Sequence, residues 1–149
     1  MVPKSKQKES GFKSVDLSIE IYNDILDLCL KMPNRYTYLI LQPILQLAGE
    51  IMDNMVTANG IDYSKDDSRF LQSDVNQRHR YFMNAKGKME ALATRLNFFL
   101  INPKSLRHKV GGKEIGVTPP ELDALSEKMD LELSLIDGVI QSDLGRLMN

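Results

Sequence analysis

The chain has 149 residues, 42% hydrophobic and 26% charged, with one cysteine and a formal net charge of −1. Such a length and balance give one globular domain and exclude a disordered chain, and a lone cysteine excludes an intrachain disulfide. The near-zero total conceals segregation: residues 1–14 carry +3, 15–67 carry −6, 68–117 carry +7 and 118–149 carry −5, so a strongly basic segment lies between acidic ones.

Residues 1–14 are polar and Lys-rich without periodicity, which predicts a flexible basic tail ahead of a single domain over 15–149. No apolar run follows that tail as a signal would require, and none reaches the roughly 20 residues of a membrane span. The chain therefore reads as cytoplasmic, with no membrane partner. From Leu17 to Met32, the residues Ile19, Tyr22, Ile25, Leu26, Cys29, Leu30 and Met32 recur at spacings of three and four among Asp16, Glu20, Asp24 and Asp27. This is an amphipathic helix with Ser14 or Ser18 as N-cap and Cys29 as a small core residue, and Pro33 ends it. A second helix, from Asn34 or Arg35 to Asn59, is apolar enough in its first half to be buried on more than one side. Pro43 should kink it, Gly49 marks close approach by a neighbouring helix, and Gly60 is placed to cap it in the left-handed conformation.

Residues 60–67 form a connection whose Asp66 and Asp67 lack the ligand spacing of a calcium loop. The third helix, from between Ser68 and Ser73 to Ile101, has an inward stripe of Val75, Phe82, Met89, Leu92, Leu96, Phe99 and Leu100. At 1.5 Å per residue it is about 45 Å long. Arg78, Arg80, Lys86, Lys88 and Arg95 lie largely off that stripe. Asn102-Pro103 stops it, and residues 104–117 make a basic, glycine-rich loop or short hairpin. Its Gly111-Gly112-Lys113 lacks both the first glycine and the Ser or Thr of a phosphate-binding loop. Thr118-Pro119-Pro120-Glu121 then opens a fourth helix with a capping box, and Leu122, Leu125, Met129, Leu133, Ile136, Ile140, Leu144 and Leu147 form its stripe. Four helices with mostly short connections give an all-α, antiparallel up-down-up-down bundle.

The junction Leu30-Lys31-Met32-Pro33-Asn34-Arg35-Tyr36-Thr37-Tyr38-Leu39, with Gln42-Pro43 and Ala58-Asn59-Gly60-Ile61 further on, resembles a particular four-helix-bundle family. It comprises the proteins encoded by intervening sequences of 23S ribosomal RNA genes and the accessory variability determinant of diversity-generating retroelements. The order of elements is similar over residues 17–147. The resemblance implies a homo-oligomer, a pentameric barrel of bundles. For the retroelement members it also implies partnership with a reverse transcriptase and binding of template RNA or its cDNA. Two departures stand out: those accessory proteins are basic overall whereas this chain is slightly acidic, and the 104–117 loop is long.

Phosphate contact needs clustered Lys and Arg, and the candidates are Arg78, Arg80, Lys86, Lys88, Arg95, Lys104, Arg107 and Lys109. These read no bases, and Tyr81 is the one stacking candidate among them. The competing expectations are that they pair with the acidic helices beside them, and that the bundle is a protein-interaction scaffold that binds no nucleic acid. Nothing resembles a catalytic or metal motif. His79 and His108 stand alone, with Asn76 and Ser105 where a di-metal bundle would place Glu. No cofactor is expected.

Overall fold

The structure, a computed structural model, describes residues 4–32, 37–61, 68–101 and 107–148. Helix α1 spans Lys4–Lys31, α2 Gln42–Asn59, α3 Ser68–Ile101 and α4 Pro119–Met148. A π-helical turn, Thr37–Leu41, leads into α2, and strands β1 (Arg107–Val110) and β2 (Lys113–Gly116) stand between α3 and α4. Helices α1 and α3 each pack against both α2 and α4, which sets the four in a square in chain order. Contacts between neighbours run in opposite directions along the two axes. On α1 and α2, Tyr22 meets Gly49 and Cys29 meets Leu41; on α2 and α3, Glu50 meets Lys88 and Ala58 meets Arg78. On α3 and α4, Arg78 meets Asp143 and Lys86 meets Asp137, and on α1 and α4, Lys31 meets Glu121 and Asp24 meets Lys128. This is the expected antiparallel up-down-up-down four-helix bundle.

Several local expectations change. The helical backbone of α1 starts at Lys4, so most of the stretch read as a tail is helix; Lys, Gln and Glu are good helix formers and only Gly11 opposes them. Ser14 and Ser18 are therefore not caps but buried positions inside α1, and the Ser18 hydroxyl donates to the Val15 carbonyl at 2.6 Å. Pro43 sits in the first turn of α2, where its missing N–H leaves no bond unmade. The widened π-helical turn before it replaces the expected kink within a continuous helix. Gly60 has φ −78°, a right-handed conformation, and its N–H bonds the carbonyls of Val56 and Thr57. Gly49 does mark a close approach, with Tyr22 3.5 Å from where a Cβ would stand, whereas nothing lies within 4 Å of that point at Gly87. The capping arm of Glu121 forms, accepting the Thr118 N–H at 2.9 Å. Between α3 and α4, Val110 pairs with Lys113 across Gly111-Gly112, at φ 59° and 80°. Positive φ at both central residues makes this a tight hairpin turn of the type that glycine favours. Residues 62–67 and the junction at 33–36 lie outside the described residues.

The core is assembled from Leu17, Ile21, Ile25, Leu28 and Met32 of α1, Ile44, Ala48, Ile51 and Met55 of α2, Val75, Phe82, Ala85, Met89 and Leu92 of α3, and Leu125, Met129 and Ile136 of α4. The stripe predicted for α1 is thus displaced: Ile25 and Met32 belong to the core, but Ile19 and Leu30 are exposed. Cys29 is half-buried, its thiol donates weakly to the Leu41 carbonyl at 3.8 Å, and burial pushes it up to about 11. One core position is a carboxylate. Glu132 is wholly buried with neither oxygen hydrogen-bonded, and burial alone pushes its pKa up to about 8.

The folded state therefore holds a proton on Glu132 between pH 4.5 and 8 that the unfolded chain has released. Stability should fall as pH rises through that window, by about 1.4 kcal/mol per pH unit. Urea unfolding of wild type against Glu132→Gln should show the steeper fall in the former, because Asp143, which burial also pushes up, titrates in both proteins; the variant should be the more stable at pH 8.

Candidate binding surfaces

The structure distributes the predicted basic residues among very different environments. Arg78 is buried on the inner side of α3, where its guanidinium donates to Asp143 of α4 at 3.0 Å and to the carbonyls of Ala58 and Ile61 at 2.9 and 3.2 Å. Its Cζ also lies 5.3 Å from the centroid of the Phe82 ring. Burial pushes the Asp143 carboxyl up and the charge of Arg146 works against that, while the Arg78 N–H favours the charged form. Arg78 is thus no part of an outward surface: a phosphate could reach it only by displacing Asp143, two carbonyls and the Phe82 ring. At the end of α2 the Gly60 and Ile61 N–H groups bond the carbonyls of Val56, Thr57 and Ala58 without a left-handed turn, and the guanidinium adds a second donor at Ala58.

Lys86 and Lys88 lie on opposite flanks of α3 and each pairs with a neighbouring acidic helix, Lys86 with Asp137 at 3.0 Å and Lys88 with Glu50 at 2.8 Å. The hydrogen bond from Lys88 is the main cause holding the Glu50 carboxyl below its ordinary range. Arg80 and Arg95 are exposed, and no carboxylate among the described residues pairs with either. Fifteen residues of helix separate them, about 22 Å along the axis. Tyr81 packs against the core rather than standing free for stacking. Arg107 and Lys109 stand in β1 opposite Gly116 and Glu114, and Lys104 lies outside the described residues. The five candidates on α3 do not converge on one patch. Among the described residues no group of three His, Cys, Asp or Glu side chains converges as metal ligands would, and no helix is long and apolar enough to cross a membrane.

The feature that periodicity did not reveal lies on the other side of the bundle. Ile19, Leu26 and Leu30 of α1, and Leu45, Met52 and Val56 of α2, are half-buried or exposed, with Leu30 at 76% and Val56 at 50%. Spacings of three and four place each set on one helix face, beside the core stripe rather than within it. Tyr22 and Gly49, which touch, belong to these same two faces, so the stripes lie side by side along the α1/α2 seam. Leu39, 83% exposed, stands in the turn that enters α2. The signal was present as an excess of apolar residues in α1, more than one core-facing stripe requires.

Ion pairs lace the other three seams. The α1/α4 seam carries Lys31–Glu121 at 2.6 Å and Lys128–Asp24 at 2.7 Å around a groove of about 260 Å³. The α2/α3 seam carries Lys88–Glu50, and the α3/α4 seam carries Lys86–Asp137 and the buried Arg78–Asp143. Compared with known proteins, the chain matches no family model and no curated protein.

These environments separate by substitution. Arg78→Glu should abolish cooperative unfolding, and Arg78→Ala should cost about 3–5 kcal/mol because the buried Asp143 loses its hydrogen-bonded cation. Lys86→Ala and Lys88→Ala should each cost less than about 1 kcal/mol, and Arg80→Glu with Arg95→Glu about 0.5 kcal/mol or less. Chemical denaturation followed by circular dichroism measures all of these.

Proposed function

We propose that the protein is a non-catalytic accessory bundle that works by holding a partner protein on its outer surface at the α1/α2 seam. The observation that carries this reading is the second pair of apolar stripes, aligned on adjacent antiparallel helices and left open to solvent. Exposed large apolar residues scattered singly need no explanation, but contiguous ones on a continuous face mark a contact surface. Met83, Leu131 and Leu144 are of the scattered kind.

The resemblance at residues 30–39 and 58–61 supports a narrower form of the same reading. In it the bundle self-assembles, as a homopentamer, and accompanies a reverse transcriptase acting on template RNA or cDNA in a retroelement-like system. A second reading, direct contact with nucleic acid, is supported by Arg80 and Arg95, which have no carboxylate partner among the described residues, and by the basic sequence from Lys104 to Lys113. Contacts of that kind would be to phosphate and would carry no sequence preference.

One pair of measurements tests both. Mass in solution should show a defined assembly or a monomer that forms a complex with a partner through the seam, and Leu30→Glu with Val56→Glu should abolish whichever contact is seen. For nucleic acid, binding of single-stranded RNA should weaken linearly in log salt. Arg80→Glu with Arg95→Glu should lower the slope by about 0.7 for each phosphate that is no longer neutralised. Absence of RNA binding at low salt overturns the second reading and leaves the first standing.

A further inference from the structure

We infer that the α1/α2 seam is a receptor groove for one basic amphipathic helix of a partner protein, an inference that rests on the docking reading above. The groove supplies the apolar half of the recognition. Its two stripes run from the level of Ile19 and Val56 to that of Leu30, and the face between residues 15 and 30 is about 22 Å long, room for a partner helix of about 15 residues. An amphipathic helix seats anchors spaced three and four residues apart into such a groove.

Charge decides what kind of helix it is. Neither residues 15–30 of α1 nor residues 42–59 of α2 contain a single Lys or Arg, while they contain Asp16, Glu20, Asp24, Asp27, Glu50 and Asp53. Glu20 and Asp24 face Lys128 of α4, and Glu50 pairs with Lys88 of α3. The remaining three, Asp16, Asp27 and Asp53, are exposed without an ion-pair partner among the described residues. By helical position Asp16 and Asp27 stand beyond the apolar stripe on the side of α1 turned away from α2, where Asp27 also lines the α1/α4 groove, and Asp53 borders the stripe on the α2 side. An apolar floor between two acidic rims complements a helix with an apolar stripe flanked by Lys or Arg. A second copy of this chain meets the groove poorly. Seam against seam would bring the acidic rims together, and the outward face of α3, which holds Arg80 and Arg95 with no carboxylate partner among the described residues, offers Asn84, Gly87 and Ala91 with Met83 as its single large apolar residue. Nucleic acid is repelled by the rims.

The probe is a fluorescein-labelled amphipathic peptide of about 16 residues, with Leu at helical spacings of three and four and Lys elsewhere, measured by fluorescence polarisation on the full chain. Two controls are used: the same peptide with Glu for Lys, and a Leu/Lys peptide of the same composition scrambled out of helical period. The Leu/Lys helix should bind at least tenfold more tightly than either control and weaken as salt rises. Leu30→Glu with Val56→Glu should abolish that binding. Asp16→Lys, Asp27→Lys and Asp53→Lys together should weaken it tenfold or more, with unfolding midpoints kept in both variants. Equal binding of the scrambled peptide, or binding insensitive to these substitutions, overturns the inference. If the chain is an oligomer that Leu30→Glu with Val56→Glu breaks into monomers, a second copy covers the seam; the basic-helix inference then falls and the docking reading stands. A monomer that binds none of the peptides overturns both.

Discussion

The guanidinium of Arg78 is the point on which one end of the bundle depends. Its side chain stands on α3, bonds the last carbonyls of α2, pairs with Asp143 on α4 and lies over the Phe82 ring. Three elements are thereby fixed by one planar fork, whose donors match a carboxylate and two carbonyls. Lysine could neutralise the Asp143 charge but could not reach all of these acceptors in a fixed plane. The same contact reinforces the end of α2, where the Gly60 and Ile61 N–H groups already bond its last carbonyls.

The remaining charges follow a different logic. The basic third helix sits between helices of opposite sign, and its Lys86 and Lys88 reach outward to the neighbours on either side. Such exposed pairs contribute little to stability individually. Their larger effect is on arrangement, because a helix with positive flanks packs best between two acidic helices and worst against another basic one. The segregated charge of the sequence is therefore used largely within the domain. What reaches the outside of α3 is Arg80 and Arg95, too far apart to hold one phosphate between them.

The fold was legible because it depends on features that repeat. Val75, Phe82, Met89, Leu92 and Leu96 keep their spacing over many turns, and the Thr118–Glu121 box and Pro103 are local signals that no tertiary contact overrides. The face of α1 was not legible, since Val15, Leu17, Ile19, Ile21, Tyr22, Ile25, Leu26, Leu28 and Leu30 satisfy helical spacing on two overlapping faces. Only the positions of α2 and α4 select Leu17, Ile21, Ile25 and Leu28 as the core. The same limit applies to charge. Arg78 looks no different in sequence from Arg80 two residues later, and about half a helical turn decides that the first is buried and the second exposed. Glu132 was hidden for the complementary reason, because a carboxylate within an acidic helix gives no hint that it faces inward.

The distribution of ion pairs gives the bundle two unlike sides. Where α4 or α3 forms a seam, a basic residue from one helix meets an acid from the other, and apolar surface at the seam is covered by the aliphatic stems of Lys31, Lys86, Lys88 and Lys128. Residues 15–30 of α1 and 42–59 of α2 contain no basic residue to supply such a cover, so the apolar stripes stay open. A bundle carrying that face alone in water gains little from it, since Leu30 is 76% and Val56 50% exposed. The acidic rims limit self-association of the face while leaving it attractive to a positively charged chain. Contact with phosphate, by contrast, has its sequence support in Arg80 and Arg95 of α3 and in the basic segment from Lys104 to Lys113, none of which belongs to α1 or α2.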